Sequence, residues 1–308
     1  MNDIKIIKNT KYLPEIIVEN SEVEKKHNLE NGYIEKRTGI KKRNYAKEET
    51  IEEMAIKAAK KIFEKGISKE NIGLVIVATT SAEQLMPGIA NTVQKELKIK
   101  PCICLDILAG CSGYINAFDI ARMYIKTEKI QRALIIGVEK LSNYTKEEDI
   151  GTSILLADGA GATLIEKTDE RKKYFSNIQA SGENNQILTC KIGQNINMKG
   201  KEVYRYAVTQ TVENVKELLE KSEEKIENIK YIVPHQSNIK IMRAIASRLK
   251  IEEKKMYINI DQIGNTFCAS IPIAICEMEE KNMLQPGDKI ILLGYGGGLN
   301  TGSILLEI

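Results

Sequence analysis

The segments "ENIGLVIVATTS" at residues 70–81 and "ENIKYIVPHQSN" at residues 227–238 resemble each other at a separation of 157 residues. The same shift aligns other pairs of segments: "CSGYINAFDIARMYI" from Cys111 with "CASIPIAICEMEEKN" from Cys268, and "ALIIG" at 133–137 with "IILLG" at 290–294. A frame that holds without a gap over helix-like and strand-like segments indicates a duplicated unit rather than a chance match of apolar runs.

Each copy has the pattern helix, strand, helix, strand. Residues 51–65 and "YINAFDIARMYI" carry apolar residues at helical spacing, whereas "GLVIVAT" and "RALIIGV" are continuous apolar runs typical of strands buried on both faces. Strands that alternate with helices predict parallel-rich sheets with crossover helices. We therefore expect an α/β fold of two layered halves related by a pseudo-twofold axis.

The boundary between the halves is predicted between residues 167 and 168, which gives domains 1–167 and 168–308. "DGAGATLIE" and the terminal "TGSILLEI" are expected to form closing strands. Residues 168–201 are polar and contain glycine and asparagine, so they are expected to be a connection made of loops.

Composition narrows the possible partners and compartments. The chain has 308 residues, of which 43% are hydrophobic and 28% charged, and its net charge of +3 does not suggest nucleic-acid binding. No apolar segment approaches the roughly 20 residues that span a bilayer, and no secretory signal is recognisable. The six cysteines form neither a CxxC pair nor a disulfide framework, which favours a reduced cytoplasmic protein without a metal site.

Three chemically capable residues are expected to converge where the halves meet. His235 follows the strand-like "YIVP", although its repeat partner is Ala78, so the fold itself does not require a histidine there. Cys111 begins a helix in the first copy, and Asn265 lies at the matching helix start in the second. Pseudo-twofold symmetry brings these two helix starts together, beside the strand that ends at His235.

This set of residues suits nucleophilic catalysis. A cysteine at a helix N-terminus can have a lowered pKa, and its thiolate is the nucleophile. His235 and Asn265 can donate hydrogen bonds to a developing oxyanion, and the glycines of "GYGGGLNTG" at 294–302 allow the backbone to approach a ligand. The alternative is structural: a buried inert thiol like Cys268, a structural histidine, a capping asparagine and a glycine-rich turn.

Several motifs, in order, resemble the β-ketoacyl-acyl carrier protein synthase III family of thiolase-fold condensing enzymes. The resemblance runs from about Tyr33 to Ile308 and rests on these segments: "KRTGIKKR" (36–43), "VATTSAEQLMP" (77–87), "AGCSGYINA" (109–117), "LLADGAGA" (155–162), "MKGKEVYRYAV" (198–208), "VPHQSNIKI" (233–241), "GNTFCASIP" (264–272) and "GYGGGLNTGS" (294–303). It implies a thiolase-like fold in a layered αβαβα arrangement.

The resemblance also implies an activity, which is the condensation of a short acyl-CoA with malonyl-acyl carrier protein at the start of fatty-acid synthesis. Cys111 would carry the acyl group. His235 and Asn265 would bind the malonyl thioester carbonyl, and the backbone N–H groups of Cys111 and Gly297 would form the oxyanion hole. Carbon dioxide release drives the reaction, so neither a metal nor another cofactor is implied. A homodimer is expected.

The resemblance further implies binding residues. Coenzyme A would contact Tyr33, Arg37 and Asn238. Acyl carrier protein would dock on Gln236, Ser237, Asn238, Ile239, Lys240, Arg205 and Arg248. Met86 would line the partner subunit's acyl pocket, and because methionine is adaptable we expect tolerance of branched or longer short-chain primers.

The chain departs from the family pattern at Ile150, where an arginine is frequent, and at Tyr295, whose hydroxyl is unusual. Two other functions stay open. One is a paralogous condensing enzyme or acyltransferase of specialised metabolism, and the other is a non-catalytic partner subunit.

Overall fold

Residues 3–64, 66–145 and 148–308 are described by a computed structural model. The strands are β1 (Asp3–Tyr12), β2 (Ile16–Glu19), β3 (Lys42–Tyr45), β4 (Ile72–Ala78), β5 (Ile103–Ile107), β6 (Arg132–Lys140), β7 (Asp158–Thr168), β8 (Tyr174–Ala180), β9 (Leu188–Thr189), β10 (Asn197–Met198), β11 (Tyr231–Pro234), β12 (Lys289–Gly296) and β13 (Asn300–Glu307). The helices are α1 (Asn20–Lys26), α2 (Tyr33–Thr38), α3 (Ile51–Phe63), α4 (Ile89–Glu96), α5 (Gly113–Lys126), α6 (Ile150–Ser153), α7 (Gly200–Lys221), α8 (Ile239–Arg248), α9 (Ile260–Ile263) and α10 (Ser270–Glu280).

Two main sheets reproduce the sequence repeat. The first has the strand order β1-β7-β6-β4-β5 and the second has the order β11-β12-β13-β8. Strand β4 pairs with β6 in parallel, as β11 does with β12, and the register is the same: Ile76 lies opposite Ile135, and Val233 lies opposite Leu292. Each residue of the second pair follows its counterpart by the 157 residues of the repeat, so the duplication is structural.

Alternate residues of the central strands enter different layers of the core. Leu74 and Ile76 of β4 pack toward α5 and α10, which lie between the two sheets. Val75 and Val77 point the other way, toward α3 and α4. On the far side of the second sheet, Leu293 packs with residues of α7 and α8. Because side chains alternate along a strand, continuous apolar runs supply both faces. The result is the αβαβα arrangement that the sequence predicts.

Local signals account for the limits of several elements. Helix α3 begins with a capping box in which the Thr50 hydroxyl accepts from the Glu53 N–H and the Glu53 carboxylate accepts from the Thr50 N–H. The helix ends at Phe63, so the predicted end at residue 65 lies outside the described residues. Strands β7 and β13 confirm the two predicted closing strands.

Residues 168–201, predicted as a connection with loops, also contain the strands β8, β9 and β10, which the sequence did not reveal. Strand β8 pairs antiparallel with β13 and occupies the same place in the second sheet as β1 in the first. Strand β8 is an edge strand in which only Tyr174 and Asn177 are buried, so its sequence shows neither a continuous apolar run nor a strict alternation. Strands β9 and β10 form a separate two-stranded ribbon. The division into domains at 167/168 stays a prediction, although β7 ends at Thr168.

Among the described residues, no helix combines the length and the apolar character needed to cross a membrane.

The two sheets differ at one edge. In the described part of the chain, the second sheet has no full counterpart of β5, and a single bridge between Ile232 and Met256 lies at that edge. In the first sheet, β5 is the edge strand beside β4. The two halves therefore differ most at the edge next to β4 and β11.

Candidate active site

Cys111 lies in a short 3-10 turn, Gly110–Ser112, that leads directly into α5. Its side chain packs against the end of β12: a Cβ built on Gly296 would lie 2.7 Å from both Cβ and Sγ of Cys111. Gly110 has φ +56°, and a Cβ there would lie 2.8 Å from the Gly297 carbonyl oxygen. Glycine is needed at both positions because the two halves pack too closely around Cys111 to leave room for a Cβ.

Burial controls the protonation of Cys111. The residue is 3% exposed, and burial raises the pKa of its thiol to about 12, with a further increase from the nearby Glu139. The backbone N–H groups of Gly297 and of Cys111 itself lower the pKa, but by less. The pKa is therefore raised overall, contrary to the expectation from the helix start, since desolvation of the thiolate outweighs the backbone donors.

His235 follows β11 and is 1% exposed. Its backbone N–H donates to the Leu293 carbonyl at 2.7 Å, and its ring Nδ1 lies 2.8 Å from the Ser270 hydroxyl. The ring meets Tyr295 edge-on, with centroids 5.4 Å apart, and Phe267 at 6.5 Å. Burial lowers the pKa of His235 to about 3, so the imidazole is neutral near pH 7.

Asn265 is held by the backbone that precedes β7. Its N–H donates to the Leu155 carbonyl, and its carbonyl accepts from the Ala157 N–H. The side-chain oxygen Oδ1 accepts from the Phe267 N–H at 3.1 Å. Because the oxygen end of the amide is used in this way, the NH₂ end is the one that can donate to a ligand.

Two cavities meet at Cys111. A cavity of about 180 Å³ is lined by Cys111, His235 and Asn265 together, with mostly apolar neighbours. A second cavity, of about 450 Å³, is lined by Cys111, Thr80, Leu108, Tyr144 and Cys190 among others. The thiol can thus be approached from one side while a group attached to it extends into the other.

The residues predicted to bind coenzyme A lie near one another. The Arg37 guanidinium stacks 4.9 Å above the Tyr33 ring and also donates to the Tyr33 hydroxyl. Asn238 donates to the Arg37 carbonyl at 3.2 Å and caps α8 by accepting from the Lys240 N–H. Asn238 also lines the smaller cavity, so this cluster connects the surface to the thiol.

The residues predicted to bind acyl carrier protein differ in their exposure to solvent. Lys240, Arg205 and Arg248 are exposed, and Ser237 and Ile239 are half-buried. Gln236 does not belong with them, and its prediction is corrected. It is fully buried, its NH₂ group donates to the Pro234 and Tyr257 carbonyls, and its Oε1 accepts from the Asn259 N–H. A side chain with every hydrogen-bonding end used internally supports the fold around His235.

Met86 is 82% exposed and lines neither cavity of its own chain, as a residue that serves another subunit would. Ile150 is half-buried at the start of α6. Within the described ranges, no three His, Cys, Asp or Glu side chains are grouped as a metal site requires.

Sequence reasoning missed Glu139 and Ser270 beside the site, and it singled out Tyr295 without explaining its effect. The Tyr295 hydroxyl is hydrogen-bonded to the Ser237 hydroxyl at 2.8 Å, which ties β12 to the loop after His235. Glu139 is fully buried and accepts hydrogen bonds from Ser81 and from the Cys268 thiol. Ser270 contacts the His235 ring, and the repeat could have revealed it, because its repeat partner is Gly113, as that of His235 is Ala78.

The comparison with known proteins assigns the chain to a family. Residues 105–183 match the family described as 3-oxoacyl-[acyl-carrier-protein (ACP)] synthase III, and residues 219–308 match its C-terminal domain. The β-ketoacyl-[acyl-carrier-protein] synthase III of Clostridium novyi is 38% identical over 100% of this chain and 99% of the relative. That of Aquifex aeolicus is 40% identical over 98% and 99%.

Solved structures show the same similarity. The crystal structure of the Aquifex aeolicus 3-oxoacyl-[acyl-carrier-protein] synthase III superimposes with a TM-score of 0.96 at 39% identity, covering 99% of this chain and 100% of that one. The priming β-ketosynthase from the R1128 polyketide biosynthetic pathway superimposes with a TM-score of 0.93 at 26% identity, covering 99% and 96%. The fold, the motifs and the full-length similarity confirm the prediction, and the chain belongs to the β-ketoacyl-[acyl-carrier-protein] synthase III family of condensing acyltransferases.

Proposed function

We propose that this protein catalyses the decarboxylative condensation of a short acyl-CoA with malonyl-acyl carrier protein, the initiating step of fatty-acid synthesis. The observation that carries the proposal is the placement of Cys111, His235 and Asn265 around one cavity, in a chain that belongs to this family over its full length. A buried thiol between two cavities suits a reaction in which an acyl group is stored on sulfur and then passed to a second substrate.

In the first half-reaction, the Cys111 sulfur attacks the thioester carbonyl of acyl-CoA, and coenzyme A leaves. The developing oxyanion would be bound by the backbone N–H groups of Cys111 and Gly297. In support, both groups already act on the Cys111 sulfur, whose pKa they lower. Oriented N–H donors in a site without bulk water stabilise such an oxyanion strongly.

In the second half-reaction, the malonyl thioester carbonyl binds between Asn265 and His235. Loss of carbon dioxide leaves an enolate, whose carbanion attacks the acyl thioester on Cys111 and releases 3-oxoacyl-acyl carrier protein. The Asn265 NH₂ group is available for this carbonyl because Phe267 holds the oxygen end of its amide. The scheme uses neither a metal nor a redox cofactor, since decarboxylation generates the carbanion directly.

Substrate delivery completes the proposal. Tyr33, Arg37 and Asn238 form the cluster that would contact coenzyme A at the mouth of the smaller cavity. The exposed cations Lys240, Arg205 and Arg248, with the neighbouring Ser237, Asn238 and Ile239, would bind acyl carrier protein. Exposed charges of this kind mainly affect the association rate and its dependence on salt.

The active form is proposed to be a homodimer in the cytoplasm. Strand β5 is a sheet edge, and Leu85, Met86 and Leu108 are 84%, 82% and 80% exposed. Large exposed apolar side chains near an unpaired edge favour contact with another chain. A second copy would place its Met86 at the larger cavity, which Leu108 lines. The six cysteines are unpaired, in keeping with a reducing compartment.

The proposal is tested by mass spectrometry and by malonyl-dependent condensation. Acetyl-CoA should add one acetyl group to the wild-type protein, and Cys111→Ala should abolish it. His235→Ala should abolish condensation with malonyl-acyl carrier protein. Cys268→Ala is the matched control, because it removes the corresponding thiol of the other half. Condensation that survives both active-site changes would contradict the proposal, as would the absence of an adduct on the wild-type protein.

A second candidate is a condensing enzyme of specialised metabolism, which the similarity to the R1128 priming β-ketosynthase favours. The same residues would act, but on another acyl acceptor. Neighbouring fatty-acid genes would support the first function, whereas a biosynthetic gene cluster would support the second. A non-catalytic partner subunit is less favoured, because it has no need of Cys111, His235 and Asn265 around one cavity.

A further inference from the structure

The Nδ1 side of the His235 ring faces a hydroxyl that already has its hydrogen-bond partners. The Ser270 oxygen lies 2.8 Å from Nδ1, 2.7 Å from the Phe267 carbonyl oxygen and 3.3 Å from the Gln236 nitrogen. Ser270 is the first residue of α10 and is fully buried.

Proton counting assigns the donors in this group. A hydroxyl has one hydrogen, and its nearest acceptor is the Phe267 carbonyl oxygen at 2.7 Å, which also accepts from the Ser270 backbone N–H. The Gln236 N–H can only donate, and it uses one lone pair of the Ser270 oxygen. With the hydroxyl hydrogen on the carbonyl, the remaining lone pair faces Nδ1 of His235 at 2.8 Å and is satisfied by an N–H there. If the hydrogen lay on Nε2 instead, two acceptors would compete for the single Ser270 hydrogen.

A second observation points the same way. The Phe267 carbonyl raises the pKa of the His235 ring, as expected of an oxygen placed to accept from a ring N–H.

The duplication provides a third, independent observation. In the first half, the positions that correspond to His235 and Ser270 are Ala78 and Gly113. They are also neighbours, since a Cβ built on Gly113 would lie 3.1 Å from the Ala78 Cβ. The corresponding contact therefore joins two residues without polar side chains in the first half, and an imidazole and a hydroxyl in the second. The fold does not require a serine at this position, so the serine is linked to the presence of the histidine.

We propose that Ser270 is a positioning residue that holds the proton of neutral His235 on Nδ1, so that Nε2 begins the reaction as a hydrogen-bond acceptor. The inference rests on the proposed function for its chemical consequence, but the tautomer itself is a property of the unliganded protein.

The consequence is a path for the thiol proton. As the Cys111 sulfur bonds to the acyl carbon, Nε2 takes its proton and passes it to the departing coenzyme A thiolate, so His235 is neutral again before malonyl-acyl carrier protein binds. In the second half-reaction, Nε2 takes one proton from solvent and donates it to the malonyl thioester oxygen while carbon dioxide leaves and the carbanion bonds to the acyl carbon. When the bond from Cys111 to that carbon breaks, the sulfur takes this proton. One nitrogen thus serves as base and then as donor, and the one proton that the whole reaction consumes ends on Cys111.

The tautomer can be measured directly because the chain has only two histidines, His27 and His235. Protein labelled with ¹⁵N-histidine should give two imidazole patterns in a long-range ¹H–¹⁵N correlation spectrum, and His27→Gln assigns the remaining one to His235. We expect the unliganded protein to show a protonated Nδ1 and a bare Nε2. A protonated Nε2 in the wild-type protein, alone or in an imidazolium, would overturn the proposal.

The variant test separates positioning from folding. Ser270→Ala should shift the His235 pattern toward the Nε2–H form and slow the acylation of Cys111 by about tenfold, the factor expected from one lost hydrogen bond. Ser222→Ala is the matched control, because Ser222 is also buried and bonds a carbonyl three residues earlier, Leu219, at the end of α7. It should change neither readout. An unchanged tautomer in correctly folded Ser270→Ala would also overturn the proposal.

The two hypotheses can fail separately. A protein that shows the Nδ1–H tautomer but transfers no acyl group to Cys111 would refute the proposed function and leave the positioning role intact. A protein that condenses malonyl-acyl carrier protein normally but holds the proton on Nε2 would do the reverse.

Discussion

Gly296 lies against Cys111 so closely that a Cβ on the glycine would be 2.7 Å from the sulfur. The second half of the protein therefore forms one wall of the nucleophile's site through a backbone that has no side chain at that point. The neighbouring Gly297 supplies one of the two N–H groups that act on the same sulfur. We therefore expect acylation of Cys111 to depend on this contact between the halves as well as on the turn that carries the thiol.

Gly296→Ala should slow the acylation of Cys111 by roughly a hundredfold, because a displacement of about 1 Å at a reacting atom has an effect of that size. The rate of acetyl adduct formation, followed by mass spectrometry, measures it. Gly182→Ala is the control, since a Cβ at Gly182 meets nothing within 4 Å. An acylation rate within threefold of wild type would show that the wall has room to move.

Cys111 should react slowly with small alkylating agents. Its pKa of about 12 means that alkylation by iodoacetamide should be slow at pH 7 and still accelerate with pH up to 10. Glu139→Gln should speed alkylation at a fixed pH, because the Glu139 carboxylate raises the pKa of the thiol. Peptide mass spectrometry separates Cys111 from the exposed Cys190. A rate that levels off near pH 8 would contradict the raised pKa.

Cys268 should contribute to stability and not to turnover. Its sulfur lies 3.0 Å from both the Ala78 carbonyl oxygen and Oε1 of Glu139, either of which can accept its one hydrogen, and burial raises its pKa well above the ordinary value. Cys268→Ala should lower the free energy of unfolding by about 1 kcal/mol and keep the rate of condensation within threefold. Urea denaturation and the condensation assay test the two parts, and a lost activity in the folded variant would contradict an inert role.

His235 should make stability depend on pH in the acid range. Its pKa falls from 6.5 in the unfolded chain to about 3 in the folded one, so between these values the unfolded state binds the extra proton. Stability from this group is complete above about pH 6.5 and is lost as the pH falls, by up to about 1.4 kcal/mol per unit. His235→Gln should remove this component of the slope, whereas His27→Gln should keep it. Urea denaturation at pH 4.5 to 7 measures the difference, and equal slopes in the two variants would refute it.

Primer tolerance should depend on Met86. We expect acylation by isobutyryl- and hexanoyl-CoA as well as acetyl-CoA, and Met86→Phe should reduce the hexanoyl rate most, because the larger rigid ring would fill part of the partner's cavity. The acetyl rate serves as the internal control. Strict acetyl selectivity of the wild-type protein would contradict the adaptable pocket, and equal effects on all primers would place Met86 away from it.

The duplicated architecture was readable from the sequence because buried β4, β6, β11 and β12 leave continuous apolar runs at a constant spacing. Strand β8 was not readable in this way, because its apolar residues form no continuous run and only two of its seven residues, Tyr174 and Asn177, are buried. The two halves also differ at the edge formed by β5, because the described part of the second sheet has a single bridge, between Ile232 and Met256, in place of that strand. Pattern reasoning succeeds where both faces of a strand are buried.

The sequence by itself determined the layered fold, the family and the candidate residues Cys111, His235 and Asn265, because the repeat spacing and the order of the motifs can be read directly along the chain. Only the tertiary structure decided their protonation, the burial of Gln236 and the role of Ser270. A pKa depends on which groups from distant segments exclude water and offer hydrogen bonds, and a tautomer depends on which atom faces each ring nitrogen. These neighbours, Gly297 beside Cys111 and Ser270 beside His235, come together only when the two halves pack.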